Sequence, residues 1–321
     1  MKIFNPHVSR SFTTKSLLLV CIISTLAISV HYVQDVITEP TQNSVITIST
    51  AQNKQKENPF KDIVVEAKSV YVYDVAARKV LYEKNADSVV PLASITKIMT
   101  ALVAEERLSG EKIVIKQDAF GEYGENKLLL GDSWSFKNLI GYMLTVSSND
   151  GARAVASAFQ SIYQVEADGL PSASFEELMN SRAKELGLNS MRFNNPTGLD
   201  LEEQGIAGGY GNAKDVAKLF EYTLKNHSDL LVDTTKQVKY FYSDTGTLRG
   251  ENTNTITNKI PNPLASKTGY TTLAGGNLAV VFDKGLGEPV IIVALGSSFD
   301  GRFSDVQRLA EATMESYNDT K

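Results

Sequence analysis

After Pro91, apolar residues recur at Ile95, Ile98, Met99, Leu102 and Val103, the spacing of one helical face, and predict an amphipathic helix. The same period predicts helices over "FKNLIGYMLTV", "NDGARAVASAFQSIY", "SFEELMNSRAKELGL" and "NAKDVAKLFEYTLKNH", the last with Asn212 as N-cap. Before this block, "AKSVYVYDVAARKVLYEKNAD" holds two apolar and aromatic runs around Asp74 to Lys79, a β-hairpin pattern. After it, "ASKTGYT", "GNLAVVFD" and "PVIIVALGSS" read as strands, and a closing helix falls around "FSDVQRLAEATMESY". Strands at both ends enclosing helices predict an α/β domain: one sheet built from both ends, flanked by helices, around a mainly helical inserted block. The connections at each end are short and hairpin-like, so the sheet is expected to be antiparallel.

The N-terminal part follows other rules. Residues 1–15 carry Lys2, Arg10 and Lys15, and residues 16–33 contain the apolar run Leu17 to Val33. Basic residues before such a run place that side in the cytoplasm and the remainder outside. The run has the length of a short membrane helix or a long signal-peptide core. The small-x-small sites at Thr25-Leu26-Ala27 and Ala27-Ile28-Ser29 fall inside it, so the expectation is an uncleaved signal anchor on the cell membrane, or secretion if the segment is cleaved. Cys21 reads as a small apolar residue of that segment, because bulky Val20 before it argues against a lipid-attachment site. Residues 34–61, rich in Thr, Ser, Asn and Gln, read as a polar linker, and residues 62–321 as the catalytic body.

Composition narrows the chemistry. The 321 residues are 42% hydrophobic with a formal net charge of −5 and no long basic run, which argues against nucleic acid as a partner. One cysteine excludes a disulfide framework within the chain, and three scattered histidines (His7, His31 and His227) leave no material for a histidine triad or a His-rich zinc site.

Ser94 and Lys97 in "PLASITKIMTALV" share one helical face, so the amine can reach the hydroxyl. A lysine acts as base only when neutral, which burial and a nearby second cation both favour. The helix start also supplies backbone N–H groups for a developing negative charge. The spacing alone is weak: Ser181-Arg182-Ala183-Lys184 repeats it, and a capping serine with a solvated lysine explains it equally. Ser147-Ser148-Asn149, at a break between helices, offers a hydroxyl for proton transfer and an amide for a peptide bond, although Ser316-Tyr317-Asn318 repeats that pattern too. Lys267-Thr268-Gly269, at the start of a predicted strand, offers a second cation, a hydroxyl for a carboxylate and a glycine that admits a ligand backbone.

Ser-x-x-Lys, Ser-x-Asn and Lys-Thr-Gly in that order resemble the motif set of penicillin-binding proteins and class A β-lactamases. With "FEELMNSRAKELGL", "MRFNNPTGLD", "NAKDVAKLF" and "SKTGYTTLAGGNL", residues 64 to 316 resemble the low-molecular-weight D-alanyl-D-alanine carboxypeptidases. The resemblance implies a β-lactamase/penicillin-binding-protein-like fold with Ser94 as acylated nucleophile, Lys97 as general base and Ser147 as proton relay. It also implies Asn149 as ligand of the substrate amide, Lys267 as source of positive potential, Thr268 as carboxylate ligand, and the N–H groups of Ser94 and Tyr270 as oxyanion hole. Gly269 completes the triplet, and Arg302 is a candidate either for the terminal carboxylate or for a surface ion pair. The implied partners are peptidoglycan stem peptides, with β-lactam antibiotics as inhibitors, and neither a metal nor an organic cofactor is called for. Where the family often has histidine, this chain has Thr197. The chain ends soon after the closing helix, so a β-rich C-terminal domain is not expected and the N-terminal segment would provide attachment.

Three other readings compete. A β-lactamase would use a glutamate and an asparagine for deacylation, and Glu176 and Asn180 have the spacing, but the apolar stripe Phe175, Leu178, Met179, Ala183, Leu186 puts them on a helix with a solvated face. A D,D-endopeptidase shares the same acyl chemistry. A non-catalytic wall-binding module would keep the fold without needing the complete motifs.

Overall fold

The structure, a computed structural model, describes residues 58–121, 123–124, 127–163 and 173–318. The expected anchor segment and most of the expected linker lie outside the described residues. Among the described residues, no helix is long and apolar enough to cross a membrane.

The hairpin forms as β1 (Ser69–Asp74) and β2 (Lys79–Lys84), its turn closed where Asp74 Oδ1 accepts from Ala77 N at 2.8 Å. A two-residue strand β3 (Val90–Pro91) leads into a tight turn over Ala93–Thr96 and then helix α1 (Lys97–Leu108). Short strands β4 (Lys112–Val114) and β5 (Ser133–Ser135) precede α2 (Phe136–Val146) and α3 (Asn149–Ile162). Helix α4 (Phe175–Glu185) opens on a reciprocal cap between Ser174 and Glu177. Strands β6 (Arg192–Phe193) and β7 (Gly209–Gly211) follow, and α5 (Ala213–Asn226) starts at Asn212, whose side chain accepts from Asp215 N. Then come β8 (Val238–Tyr242), β9 (Thr247–Glu251), β10 (Pro263–Thr271), β11 (Gly275–Asp283), β12 (Pro289–Ser297) and α6 (Gly301–Asn318).

The main sheet has the order β10-β11-β12-β1-β2 and is antiparallel throughout. Strand β1 lies against β12, so both ends of the chain build one sheet, as the two groups of strand patterns imply. Its central strands are apolar on both faces because successive side chains point to opposite sides. Ala279, Val281, Ile291 and Val293 pack towards the helical block, while Leu278, Val280, Ile292 and Ala294 pack with Val306, Leu309 and Ala310 of α6.

The short strands β3, β6 and β7, which form a small sheet of their own, span two or three residues, too few to show a period of two. The β8–β9 hairpin hid for another reason: Val238, Tyr240 and Tyr242 are its exposed face, while Lys239, paired with Asp233, shares the inward face with the buried Phe241, so polar and apolar positions do not alternate.

The linker boundary moves. Phe60 is 6% exposed, joins the α6 side of the core and stacks on Tyr82 at 5.7 Å, so the folded body begins before residue 62. Asp305, fully buried, accepts from the backbone N–H groups of Glu66 and Ala67 and fastens this entering segment to α6. Phe60→Ala is therefore expected to cost about 3 kcal/mol in urea denaturation; an unchanged midpoint would return Phe60 to the spacer.

Candidate active site

The turn carrying Ser94 is held by two glycines. Ala93 adopts φ of 47°, unusual for a residue with a Cβ. Gly198, at φ +81°, lies so close that a Cβ there would fall 2.0 Å from Ala93 O. On the other side, a Cβ on Gly269 would meet Leu92 O at 2.9 Å and Ser94 N at 3.1 Å. The close approach that glycine permits at Gly269 is thus between β10 and the nucleophile turn, not first of all with a ligand. It also sets the backbone N–H of Ser94 one residue from Tyr270, the pair expected to form the oxyanion hole. Asn277, fully buried on β11, donates to Pro91 O at 3.0 Å and ties the turn to the sheet.

Lys97 stands on the first turn of α1 and is 0% exposed. Its Nζ lies 3.0 Å from Ser94 Oγ, 2.7 Å from Asn149 Oδ1 and 2.8 Å from Thr197 O, an arrangement that a neutral amine meets with two N–H donors to the two carbonyl oxygens and a lone pair facing the Ser94 hydroxyl. Asn149 in turn donates through Nδ2 to Tyr123 O at 2.8 Å. The Thr197 carbonyl is aimed by Asn195, whose Oδ1 accepts from Thr197 N, Thr197 Oγ1 and Gly198 N, and whose Nδ2 donates to Leu199 O. At the position where the family often has an imidazole, this chain therefore uses a backbone carbonyl and an asparagine-fastened turn.

The second cation sits opposite. Lys267 is 1% exposed and donates to Ser147 Oγ at 2.8 Å and Thr268 O at 3.0 Å. Burial, then the charges of Lys97 and Arg302, push its amine well below the ordinary lysine range. Ser147 ends α2 in the left-handed region at φ 63°, a conformation that costs a non-glycine residue about 1 kcal/mol or more and turns its hydroxyl to Lys267. Thr268 shares a 2.6 Å hydrogen bond with Thr253 Oγ1, and Thr253 N donates to Thr145 O, so the triplet strand is linked to the end of α2.

Among the described residues, Arg302 has no partner of the surface ion pair weighed for it. Arg302 is 5% exposed, its guanidinium lies 4.3 Å from the Phe299 ring centroid and 4.6 Å from that of Phe303, and it donates to Gly269 O at 3.0 Å. Burial lowers its pKa, yet it remains a cation one residue from Thr268.

The sequence decoys stay apart from this cluster. Ser181 and Lys184 are both exposed on α4. Glu177 caps that helix, and Asn180 bonds the backbone of Phe193 and Glu176. Ser316 bonds Thr313 O within α6. Sequence reasoning missed Asn195, Asn277, Thr253 and Tyr123. The "NNPTG" turn chemistry is a legible signal for Asn195; the other three act through contacts between distant segments and leave no local pattern.

A fold of this topology with a serine, two buried lysines and a Lys-Thr-Gly strand around one turn defines the serine D,D-peptidase class. The family model described as D-alanyl-D-alanine carboxypeptidase matches residues 52–298, and the chain belongs to that family. It is 28% identical to the D-alanyl-D-alanine carboxypeptidase DacF of Bacillus subtilis over 82% of this chain and 66% of that protein. It is 30% identical to a D-alanyl-D-alanine endopeptidase of Escherichia coli over 64% of each. The chain thus spans about two thirds of the length of these curated relatives. Among solved structures, penicillin-binding protein D2 of Listeria monocytogenes in its ampicillin-bound form is similar with a TM-score of 0.66 at 29% identity, covering 78% of this chain and 98% of that one. DacD of Francisella tularensis shares the fold with a TM-score of 0.71 at 23% identity, covering 86% of this chain and 76% of that one.

Proposed function

We propose that this chain is a serine D-Ala-D-Ala carboxypeptidase that removes the terminal D-Ala of peptidoglycan stem peptides through an acyl-enzyme on Ser94. The observation that carries the reading is the buried Lys97 amine 3.0 Å from Ser94 Oγ, with the Arg302 guanidinium bonded to Gly269 O as the positive charge on the Thr268 side. In this reading Lys97 takes the Ser94 proton as Oγ attacks the carbonyl, and the N–H groups of Ser94 and Tyr270 receive the oxyanion. The terminal carboxylate seats against Thr268 and the Arg302 charge, and Asn149 holds the substrate amide. Lys97 and Ser147, the latter bonded to Lys267, lead the proton to the leaving amine. Water then attacks the ester, and Ser94 is regenerated. β-Lactams acylate Ser94 by the same first step.

Residues 16–33 are proposed as the membrane anchor, with the catalytic body outside; the support is the basic residues before the run and its apolar length. A second reading, cleavage of cross-links, is favoured by the endopeptidase named among the relatives at 30% identity. Incubating the full chain with fluorescent penicillin and with a stem pentapeptide ending in D-Ala-D-Ala separates these. Labelling together with D-Ala release is expected; labelling with cross-link cleavage but no D-Ala release would replace the carboxypeptidase by the endopeptidase.

A further inference from the structure

Thr268 and Thr253 have two hydroxyl protons between them and one mutual hydrogen bond. Thr268 is 4% exposed on β10, Thr253 is half-buried, and their Oγ1 atoms lie 2.6 Å apart, so one of the two must be the donor. A hydroxyl has a single proton to donate and two lone pairs that accept. If Thr268 donates to Thr253, it shows an arriving carboxylate only lone pairs and repels it. If Thr253 donates to Thr268, the Thr268 proton is free and the carboxylate can accept it. The two arrangements differ only in the rotation of two hydroxyls, so an anion beside Thr268 selects the second.

Thr253 is fastened in this position from both sides. Its own N–H donates to Thr145 O at 3.2 Å, near the end of α2. Before it, the buried Asn252 donates through Nδ2 to Thr234 O at 2.7 Å and Lys236 O at 3.1 Å, and accepts through Oδ1 from Asn254 N at 2.8 Å. After it, the buried Asn254 accepts from Ile256 N at 3.2 Å. Thr234 also holds β10, accepting from Ser266 N at 3.0 Å and from Ser266 Oγ at 2.9 Å, one residue before Lys267. The Thr253 segment and the Lys-Thr-Gly strand are therefore fixed to one support, and the β-branched Thr253 side chain has few rotamers with which to leave its partner. Resting on the carboxypeptidase reading, we propose that Thr253 is a positioning residue for the terminal carboxylate of the substrate: its hydroxyl donates to Thr268 Oγ1 and commits the Thr268 proton to that carboxylate. Hydrogen bonds in such a chain polarise one another, so the Thr268 bond to the anion is strengthened by the one behind it. Arg302 supplies charge on this side, and the threonine pair supplies the aimed donor. An ester carbonyl is a weaker acceptor than a carboxylate, so the pair favours a free terminal acid.

The test compares benzylpenicillin with its methyl ester, which differ only at the carboxylate that would meet Thr268. Acylation rates are followed by intact-mass measurement on the full chain and on Thr253→Val, Thr253→Ala and Thr253→Ser, with thermal melts in parallel. Valine keeps the shape of threonine and removes the hydroxyl. Thr253→Val and Thr253→Ala are expected to slow acylation by the acid about tenfold, as when a hydrogen bond to a charged group is weakened, and to leave the ester rate unchanged. Thr253→Ser returns the acid to within about threefold of the unsubstituted rate, because the donor is restored on a less restricted side chain. In a Thr268→Val background, Thr253→Val should add no further loss, since the two hydroxyls act as one unit. An equal loss for acid and ester, no loss for the acid, or a loss that serine does not relieve would overturn the positioning role and leave the acyl-enzyme reading standing. Absence of acylation by either compound in the unsubstituted chain would overturn that reading and the positioning role with it.

Discussion

Ser94→Ala is expected to abolish penicillin labelling and to lower D-Ala release by about 10⁴-fold or more, because removing a nucleophile removes the whole acyl-enzyme route. The fold should tolerate the change. Lys97 loses one of three partners but keeps Asn149 Oδ1 and Thr197 O, and a single hydrogen bond contributes about 1 kcal/mol. The mutant should therefore unfold at nearly the parental temperature. A Ser94→Ala, Lys97→Met double variant should be no slower than Ser94→Ala alone, since the two side chains act as one unit. Mass spectrometry of the intact chain after incubation with penicillin gives the direct readout: an adduct surviving in Ser94→Ala would mean that the nucleophile lies elsewhere.

Lys267→Met should separate stability from activity. The lysine is buried, near two other cations, and its amine is pushed well below the ordinary lysine range, so the folded chain holds it against its preference for charge. Methionine fills a similar volume without a charge and should stabilise the fold by about 1 kcal/mol, roughly 3 °C in Tm, despite the lost bonds to Ser147 and Thr268. Penicillin acylation should fall by about 10²–10³-fold, as when a preorganised electrostatic group is removed from an active site.

The pH dependence has a defined sign. A lysine whose folded pKa is depressed supports stability above the unfolded pKa of 10.5, and that support is lost as pH falls through the folded pKa. The advantage of methionine should accordingly be greatest on the acidic side of that window and fade towards its alkaline end, as thermal melts across the range would show. A lower Tm in the variant at every pH would contradict the view that Lys267 is held under strain for function.

Much of the fold was readable because its signals are local. The helices α2 and α3 announce themselves by spacing, α5 by its asparagine cap, and the three final strands by apolar runs between turns. The β8–β9 hairpin was not, since Tyr240 and Tyr242 face outward while Lys239 shares the inward face with the buried Phe241. Phe60 sits in a polar stretch, and only Tyr82 and α6 give it a place in the core.

Ser94 and Lys97 illustrate the division within the site. Their mutual reach is a property of three residues along a helix, so the sequence by itself determined it, along with the order of the three motifs and the pattern of a sheet assembled from both chain ends. The neighbours of that pair were decided only by the tertiary structure. Asn149 meets Lys97 across 52 positions of chain, Thr197 across 100, Ser147 meets Lys267 across 120, and Arg302 reaches Gly269 across 33. Such contacts depend on how helices and strands pack, and the same packing removes water from Lys97, Lys267 and Arg302. Burial and proximity of like charges are sums over distant segments, which no local spacing encodes, and those sums set the charge state on which the proposed chemistry depends.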